Sequence, residues 1–137
     1  MNETKDLHLP LKASWFTMIK YGIKMEEYRD ITPYWAKRLM EYHPTFDAEM
    51  PFNKWIDMIW WREPELFTLN LKNAIWEMKI KFKVFNKIVF TLGYPKKTET
   101  DLIMTKRYVF TSFDKAIPGW CPADTPKDKL FFCISFE

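Results

Sequence analysis

The segment Lys24-Met25-Glu26-Glu27-Tyr28-Arg29-Asp30 sets two cations around a carboxylate within six residues. Lys24 and Arg29 are groups that grip phosphate, Arg through a planar fork and Lys as a point charge. Glu27 can accept a hydrogen bond from an exocyclic amine of a base. A second set follows at Tyr34, Trp35 and Arg38, and a third at Tyr94, Lys96 and Lys97. Each joins a planar ring, on which an unstacked base can lie, to a cation that can hold its phosphate. This is the chemistry of nucleotide or single-stranded nucleic-acid binding. The plainer alternative makes Glu27 and Arg29 a structural ion pair on one strand face and Trp35 a core residue.

Other chemistry finds less support. Lys79, Lys81 and Lys83 form a row that suits a phosphate backbone, but such rows are more often the solvated face of a half-buried strand. His8 and His43 have no neighbouring ligand pattern, so no metal and no cofactor is expected. Cys121 and Cys133 are too few and too far apart for a disulfide framework, and read as reduced thiols of a cytoplasmic protein. The opening MNETKDLHLPLK has no apolar stretch of signal-peptide type, and no apolar run is long enough to span a membrane. With 21 Lys and Arg against 18 Asp and Glu, the net charge of +3 is too mild to imply a polyanionic partner by itself. The 18% aromatic content, with seven Trp and twelve Phe, exceeds the needs of packing, so some rings should face a groove or a partner.

The elements that must position these residues follow from local pattern. At 137 residues the chain should form one domain. LHLPLK at 7–12 reads as a strand, with Pro10 marking an edge. Ser14 is placed to cap a helix to about Tyr21, with Trp15, Ile19 and Ile23 on its buried stripe and Gly22 as a left-handed stop. A strand over 24–30 would put Met25, Glu27 and Arg29 on one face and Lys24, Glu26 and Tyr28 on the other. Thr32-Pro33 opens a helix to about Tyr42, on which Tyr34 and Arg38 are neighbours. Phe52, Trp55, Ile56, Ile59 and Trp60 fit a helical stripe, either core or a surface for a second copy or a protein partner at 52–60. Phe67, Leu71, Ala74, Ile75 and Met78 fit another helix, switching near Glu77 to an alternating strand through Val84. Strands are predicted at 87–92 and 102–111, a loop at 114–129, and a central strand in LFFCISF at 130–136. Helices early and strands late predict an α+β fold.

Gly22-Ile23-Lys24-Met25-Glu26-Glu27-Tyr28-Arg29 matches the G-x-K-x-x-E-x-R signature of the ASCH domain family. LHLPLKASWFTMI before it, ITPYWAKRL after it, and later FNKIVFTLGYPK, Gly119-Trp120 and FFCISF also resemble small bacterial and phage-borne members. The resemblance covers roughly 7–42 and 85–137, and makes 43–84 a helical insertion. It implies a PUA-like small mixed β-barrel with flanking helices, and a cleft beside the barrel that receives RNA or a modified base. In that layout Lys24, Glu27, Arg29 and Arg38 would sit near the barrel mouth. Some relatives hydrolyse an amide on an acetylated nucleoside, using a Lys, a Thr three residues later and a distant Glu. Lys24 matches the Lys, but Glu27 stands where the Thr would be. A carboxylate there would favour the charged lysine and oppose its use as a base. Hydrolysis is therefore the alternative, behind a binding role toward RNA, single-stranded nucleic acid or a modified nucleoside.

Overall fold

The structure, a computed structural model, describes residues 5–137, so the reading of the amino-terminal segment lies outside the described residues at positions 1–4. The described elements are β1 (Leu7–Leu11), α1 (Ala13–Lys20), β2 (Glu26–Arg29), α2 (Pro33–Leu39), β3 (Met40–Tyr42), α3 (Phe52–Arg62), α4 (Phe67–Trp76), β4 (Ile80–Phe82), β5 (Lys87–Leu92), β6 (Ile103–Lys115) and β7 (Leu130–Phe136). The class is α+β. The chain divides into two compact units, Met1–Tyr28 with Val84–Glu137, and Arg29–Lys83. The second unit holds nearly all of the segment 43–84 together with α2 and β3.

The first unit is built on a sheet of order β1-β5-β6-β7-β2, curled into a half-barrel. β1 runs parallel to β5, with Leu7 beside Ile88 and Leu11 beside Leu92, and carries Pro10 at the sheet edge as its sequence requires. β6 is the long element. Its residues 103–107 pair with β5 and its residues 108–115 with β7. A register shift between Tyr108 and Phe110 leaves Val109 as an extra residue, a bulge that bends and twists the strand. Strand 102–111 of the sequence reading is thus extended to Lys115, because the bulge lets β6 continue along β7. β7 lies between β6 and β2 and buries Phe131, Phe132, Cys133 and Ile134 in succession, which is why its sequence is a continuous apolar run. Leu9, Ile19, Ile88, Phe90 and Phe132 are wholly inside, each contributing about 1.5–3 kcal/mol of burial free energy.

Helix α1 departs from expectation at both ends. It starts at Ala13, with Lys12 at the N-cap and no side-chain cap, so Ser14 sits inside the first turn. Phe16 and Ile19 are its buried residues, Trp15 is half-buried, and Ile23 is exposed. The cause is Gly22, whose φ of 74° turns the chain before Ile23 can extend the helical stripe. β2 is consequently shorter than predicted, at 26–29.

In the second unit Thr32 caps α2, its hydroxyl accepting from the Trp35 amide at 3.4 Å, with Pro33 in the first turn as predicted. The helix ends at Leu39 rather than Tyr42, because Met40–Tyr42 pair antiparallel with Ile80–Phe82. That pairing also corrects the strand at 76–84. α4 runs through Trp76 and closes over Glu77, with Met78 in the left-handed region at φ 58° and the Lys79 amide bonded back to Ala74. Only residues 80–82 are left to form β4. Ala36, Leu39, Met40, Ile56, Phe67, Leu71, Ala74 and Ile80 make the core of this unit.

Candidate functional site

The left-handed turn at Gly22 decides what Lys24 does. The amides of Ile23 and Lys24 both donate to the Met18 carbonyl, at 2.9 and 3.2 Å, and tie this turn to the end of α1. Lys24 is delivered inward ahead of β2, and only 1% of it is exposed. Its Nζ donates to the Trp120 carbonyl at 2.7 Å and to Glu27 Oε1 at 3.2 Å. It also lies 4.3 Å from the Trp15 ring centre and 5.5 Å from that of Tyr28. A carbonyl, a carboxylate and two ring faces are all partners suited to an ammonium ion. Glu27 is equally buried, and its Oε1 also accepts from the Tyr28 amide at 2.8 Å. Lys24 and Glu27, assigned by strand alternation to opposite faces, therefore meet. Lys24 precedes the strand, so the alternation never applied to it.

Tyr28 extends the same device. Its hydroxyl donates to Glu26 Oε2 at 2.8 Å and accepts from the Ile117 amide at 3.0 Å. Its ring packs on Phe131, beside Cys133, with Ala116, Trp120 and Cys121 against the cluster. Burial pushes the Tyr28 hydroxyl well above its ordinary range, against the lowering effect of the Ile117 amide, and Glu26 adds to the rise. Burial likewise pushes the Cys133 thiol up to about 12, again with Glu26 adding. The outcome is that Lys24 and Tyr28 pin the loop after β6 at Trp120 and at Ile117. Between and beyond these points the loop folds into turns, with Gly119 at φ 91° and the Thr125 amide bonded to the Pro122 carbonyl. It lines a cleft of about 520 Å³ that includes Lys115, Ile117, Pro118, Cys121, Pro126 and Lys127.

The rings and cations of the second unit form a different arrangement. Arg29 and Arg38 place their guanidinium carbons 5.2 and 5.3 Å from the Trp35 ring centre. Arg38 also lies 5.5 Å from the Tyr34 ring and 3.4 Å from its hydroxyl, and Tyr34 meets Trp35 edge-on at 5.1 Å. Tyr34 and Arg38 are exposed, while Arg29 and Trp35 are half-buried. The spacing of four residues on α2 makes the Tyr34–Arg38 contact, as the helical reading predicts.

Of the nine residues singled out from sequence, Lys24 and Glu27 are thus brought together inside the first unit, and Arg29, Tyr34, Trp35 and Arg38 in the second. Tyr94, Lys96 and Lys97 stand exposed on the loop after β5, Tyr94 at 93%. The Lys96 amide donates to Glu99 Oε1, and among the described residues no hydrogen bond or ion pair links these three to Lys24 or Glu27. Lys79 and Lys81 pair with Glu77 and Glu41, and Lys83 Nζ donates to the Lys37 carbonyl; only Lys81 lies within β4, so the three half-buried lysines do not form one strand face. Phe52 and Trp55 pack on Tyr42 and Trp60 packs edge-on against Phe67, but of the 52–60 stripe only Ile56 is wholly buried; Phe52, Trp55 and Ile59 are half-buried and Trp60 is exposed. His43 bonds to Thr45 and His8 is exposed on β1. Among the described residues no cluster of His, Cys, Asp and Glu is arranged to hold a metal ion, and no helix is long and apolar enough to cross a membrane.

Sequence reasoning passed over Glu26, Tyr28, Ile117, Trp120 as an acceptor, and Cys121. The one available signal was the Gly119-Trp120 pair within the resemblance. Nothing in spacing ties Trp120 to Lys24, 96 residues away. Comparison with protein-family models, with curated proteins and with solved structures finds no match to this chain.

Proposed function

We propose that this chain is a binding module for RNA, single-stranded DNA or a modified nucleotide, of the ASCH type within the PUA-like superfamily. The observation that carries the reading is the α2 cluster. Tyr34 and Arg38 are exposed side by side, and the Arg29 and Arg38 guanidinium carbons both lie within 5.3 Å of the Trp35 ring centre. None of the four is acidic. The exposed Tyr34 ring offers a stacking platform and the exposed Arg38 guanidinium offers a bidentate phosphate donor, with their geometry already ordered by cation–π contact before a strand arrives. The two free thiols, Cys121 and Cys133, support a reducing, cytoplasmic setting.

The amidohydrolase reading draws no support from Lys24. Its Nζ donates to the Trp120 carbonyl and to Glu27, in contacts that suit a cation rather than a proton acceptor.

The test is fluorescence anisotropy with labelled single-stranded RNA and DNA over a salt series. Affinity should fall as salt rises, with a log–log slope of about −0.7 per phosphate neutralised. Arg38→Ala and Tyr34→Ala should each weaken binding about tenfold, since base stacking and a charged contact are each worth roughly 1–3 kcal/mol. Their urea midpoints should stay near the parent's. No binding at low salt to any oligonucleotide or modified nucleoside would remove the proposal.

A further inference from the structure

We infer that a cleft in the second unit, between the segment after β3 and helix α3, binds a methylated ammonium cation, the trimethylammonium head carried by choline or by a trimethylated lysine side chain. The site lies wholly in the second unit and does not rest on the reading of α2 as a nucleic-acid surface. Its volume of about 320 Å³ is at the low end of the range for small-molecule sites, so it suits a compact group. Three aromatic residues line it, Tyr42 at the end of β3, Phe46 on the segment that follows and Trp55 on α3. Phe46 and Trp55 both meet the Tyr42 ring, with centres 5.6 and 6.0 Å away and planes inclined at 53° and 63°. Rings inclined in this way enclose a corner rather than a flat stack, and each is only half-buried. The negative face of an aromatic ring attracts a cation. Met50 and Met58 complete the wall with polarisable thioethers.

The charges at the cleft share one sign. Asp47 and Glu49 line it, and no Lys or Arg does. Both are exposed, and among the described residues neither carboxylate has an ion pair or a hydrogen bond. Nearby acids of the same unit are already matched, Asp57 by Lys37 at 2.8 Å and Glu41 by Lys81 at 3.7 Å. The sign of this cleft is opposite to that of the α2 cluster, so one ligand does not serve both.

The degree of methylation follows from the hydrogen-bond supply. A primary ammonium is strongly hydrated and brings three N–H donors that need acceptors. The Met50 carbonyl already accepts from the Tyr42 hydroxyl at 2.8 Å. A trimethylammonium has no N–H to satisfy. Its methyl surface fits ring walls, and the two carboxylates answer its charge. The corner is also preformed. The Tyr42 hydroxyl ties its ring to Met50, while the Phe46 amide donates to the His43 carbonyl at 3.0 Å and the Thr45 hydroxyl meets His43 Nδ1 at 2.7 Å. Binding therefore has little of the segment left to order.

The experiment is a titration of the ¹⁵N-labelled full chain with choline, with acetylated trimethyllysine amide, with the neutral tert-butyl isostere of choline and with ethanolamine. It is followed at the amides of Phe46, Asp47 and Glu49 and at the Trp55 indole. A trimethylammonium probe should move these signals. The neutral isostere and ethanolamine should each bind at least about tenfold more weakly, because one lacks the charge and the other the methyl surface. Tighter binding by trimethyllysine identifies a modified side chain as the source, and tighter binding by choline a free solute. Asp47→Asn/Glu49→Gln, two exposed positions, should weaken the cation about threefold or more with the fold intact, and leave the neutral isostere unchanged. Phe46→Leu keeps an apolar side chain, removes one ring and should weaken the cation about tenfold. No shift at these signals with either trimethylammonium probe at millimolar concentration would overturn the inference, and so would equal binding of choline and its neutral isostere.

Discussion

Replacing Lys24 by Met keeps the length of the stem and removes the charge. The ammonium is 1% exposed and donates to Glu27 Oε1 and to the Trp120 carbonyl, while Glu27 is 4% exposed. The substitution leaves a buried carboxylate without its cation, a change that costs about 3–5 kcal/mol in comparable interiors. The Trp120 carbonyl loses its donor as well, for roughly another 1 kcal/mol. Against a total of about 5–15 kcal/mol for a domain, that is a large fraction. With a urea m-value near 2 kcal/mol/M, the midpoint should fall by about 2 M. The double variant Lys24→Met/Glu27→Leu should recover much of this, since removing both charges also removes the cost of having buried them. The assay is urea denaturation of the parent, both single variants and the double variant, read as a coupling energy. Hydrogen exchange at the Ile117 amide supplies a local readout, because that amide donates to Tyr28 in the same cluster and should exchange faster as the loop loosens. A loss below about 1 kcal/mol for Lys24→Met, or two single effects that simply add, would refute the claim that the pair holds this loop.

Two further outcomes follow from the same geometry. Gly22→Ala should cost about 1 kcal/mol in a urea melt, because φ is 74° while nothing lies within 4 Å of the added methyl, so the penalty is conformational alone; an unchanged midpoint would mean the turn does not need glycine. The Cys133 thiol is raised from its ordinary 9.0 to about 12, so the folded state favours the neutral form. That contribution is complete below pH 9 and is lost as the pH rises from 9 toward 12, with the raised Tyr28 and Tyr108 hydroxyls adding in the same direction. Stability measured across this range should fall less steeply in Cys133→Ala, and a thiol reagent at pH 8 should label half-buried Cys121 while sparing Cys133 until the protein unfolds. Equal labelling of both thiols in the native protein would contradict this.

The amino-acid sequence by itself determined the features that short-range physics controls. Thr32-Pro33 started α2 because a hydroxyl and a fixed φ act within one turn. Gly22 ended α1 because its backbone tolerates the left-handed region, and the switch from helix to strand near Glu77 showed in the change of apolar period. LFFCISF read as an interior strand because a strand covered on both faces needs no polar alternation. The α+β class followed from the order of those pieces.

What lay beyond reach were choices of distant partner. α2 stops at Leu39 because Met40–Tyr42 find Ile80–Phe82, and β6 extends to Lys115 because a bulge keeps it in register with β7. Neither partner is encoded in the residues that change conformation. Lys24 showed the right residue type for binding an anion, yet its environment comes from Trp15, Glu27, Tyr28 and the carbonyl of Trp120, so burial turned a candidate phosphate ligand into a structural cation. Charge is a property of the side chain. Whether that charge meets water, a ligand or a carbonyl depends on which segments pack around it, and only the tertiary structure decided that.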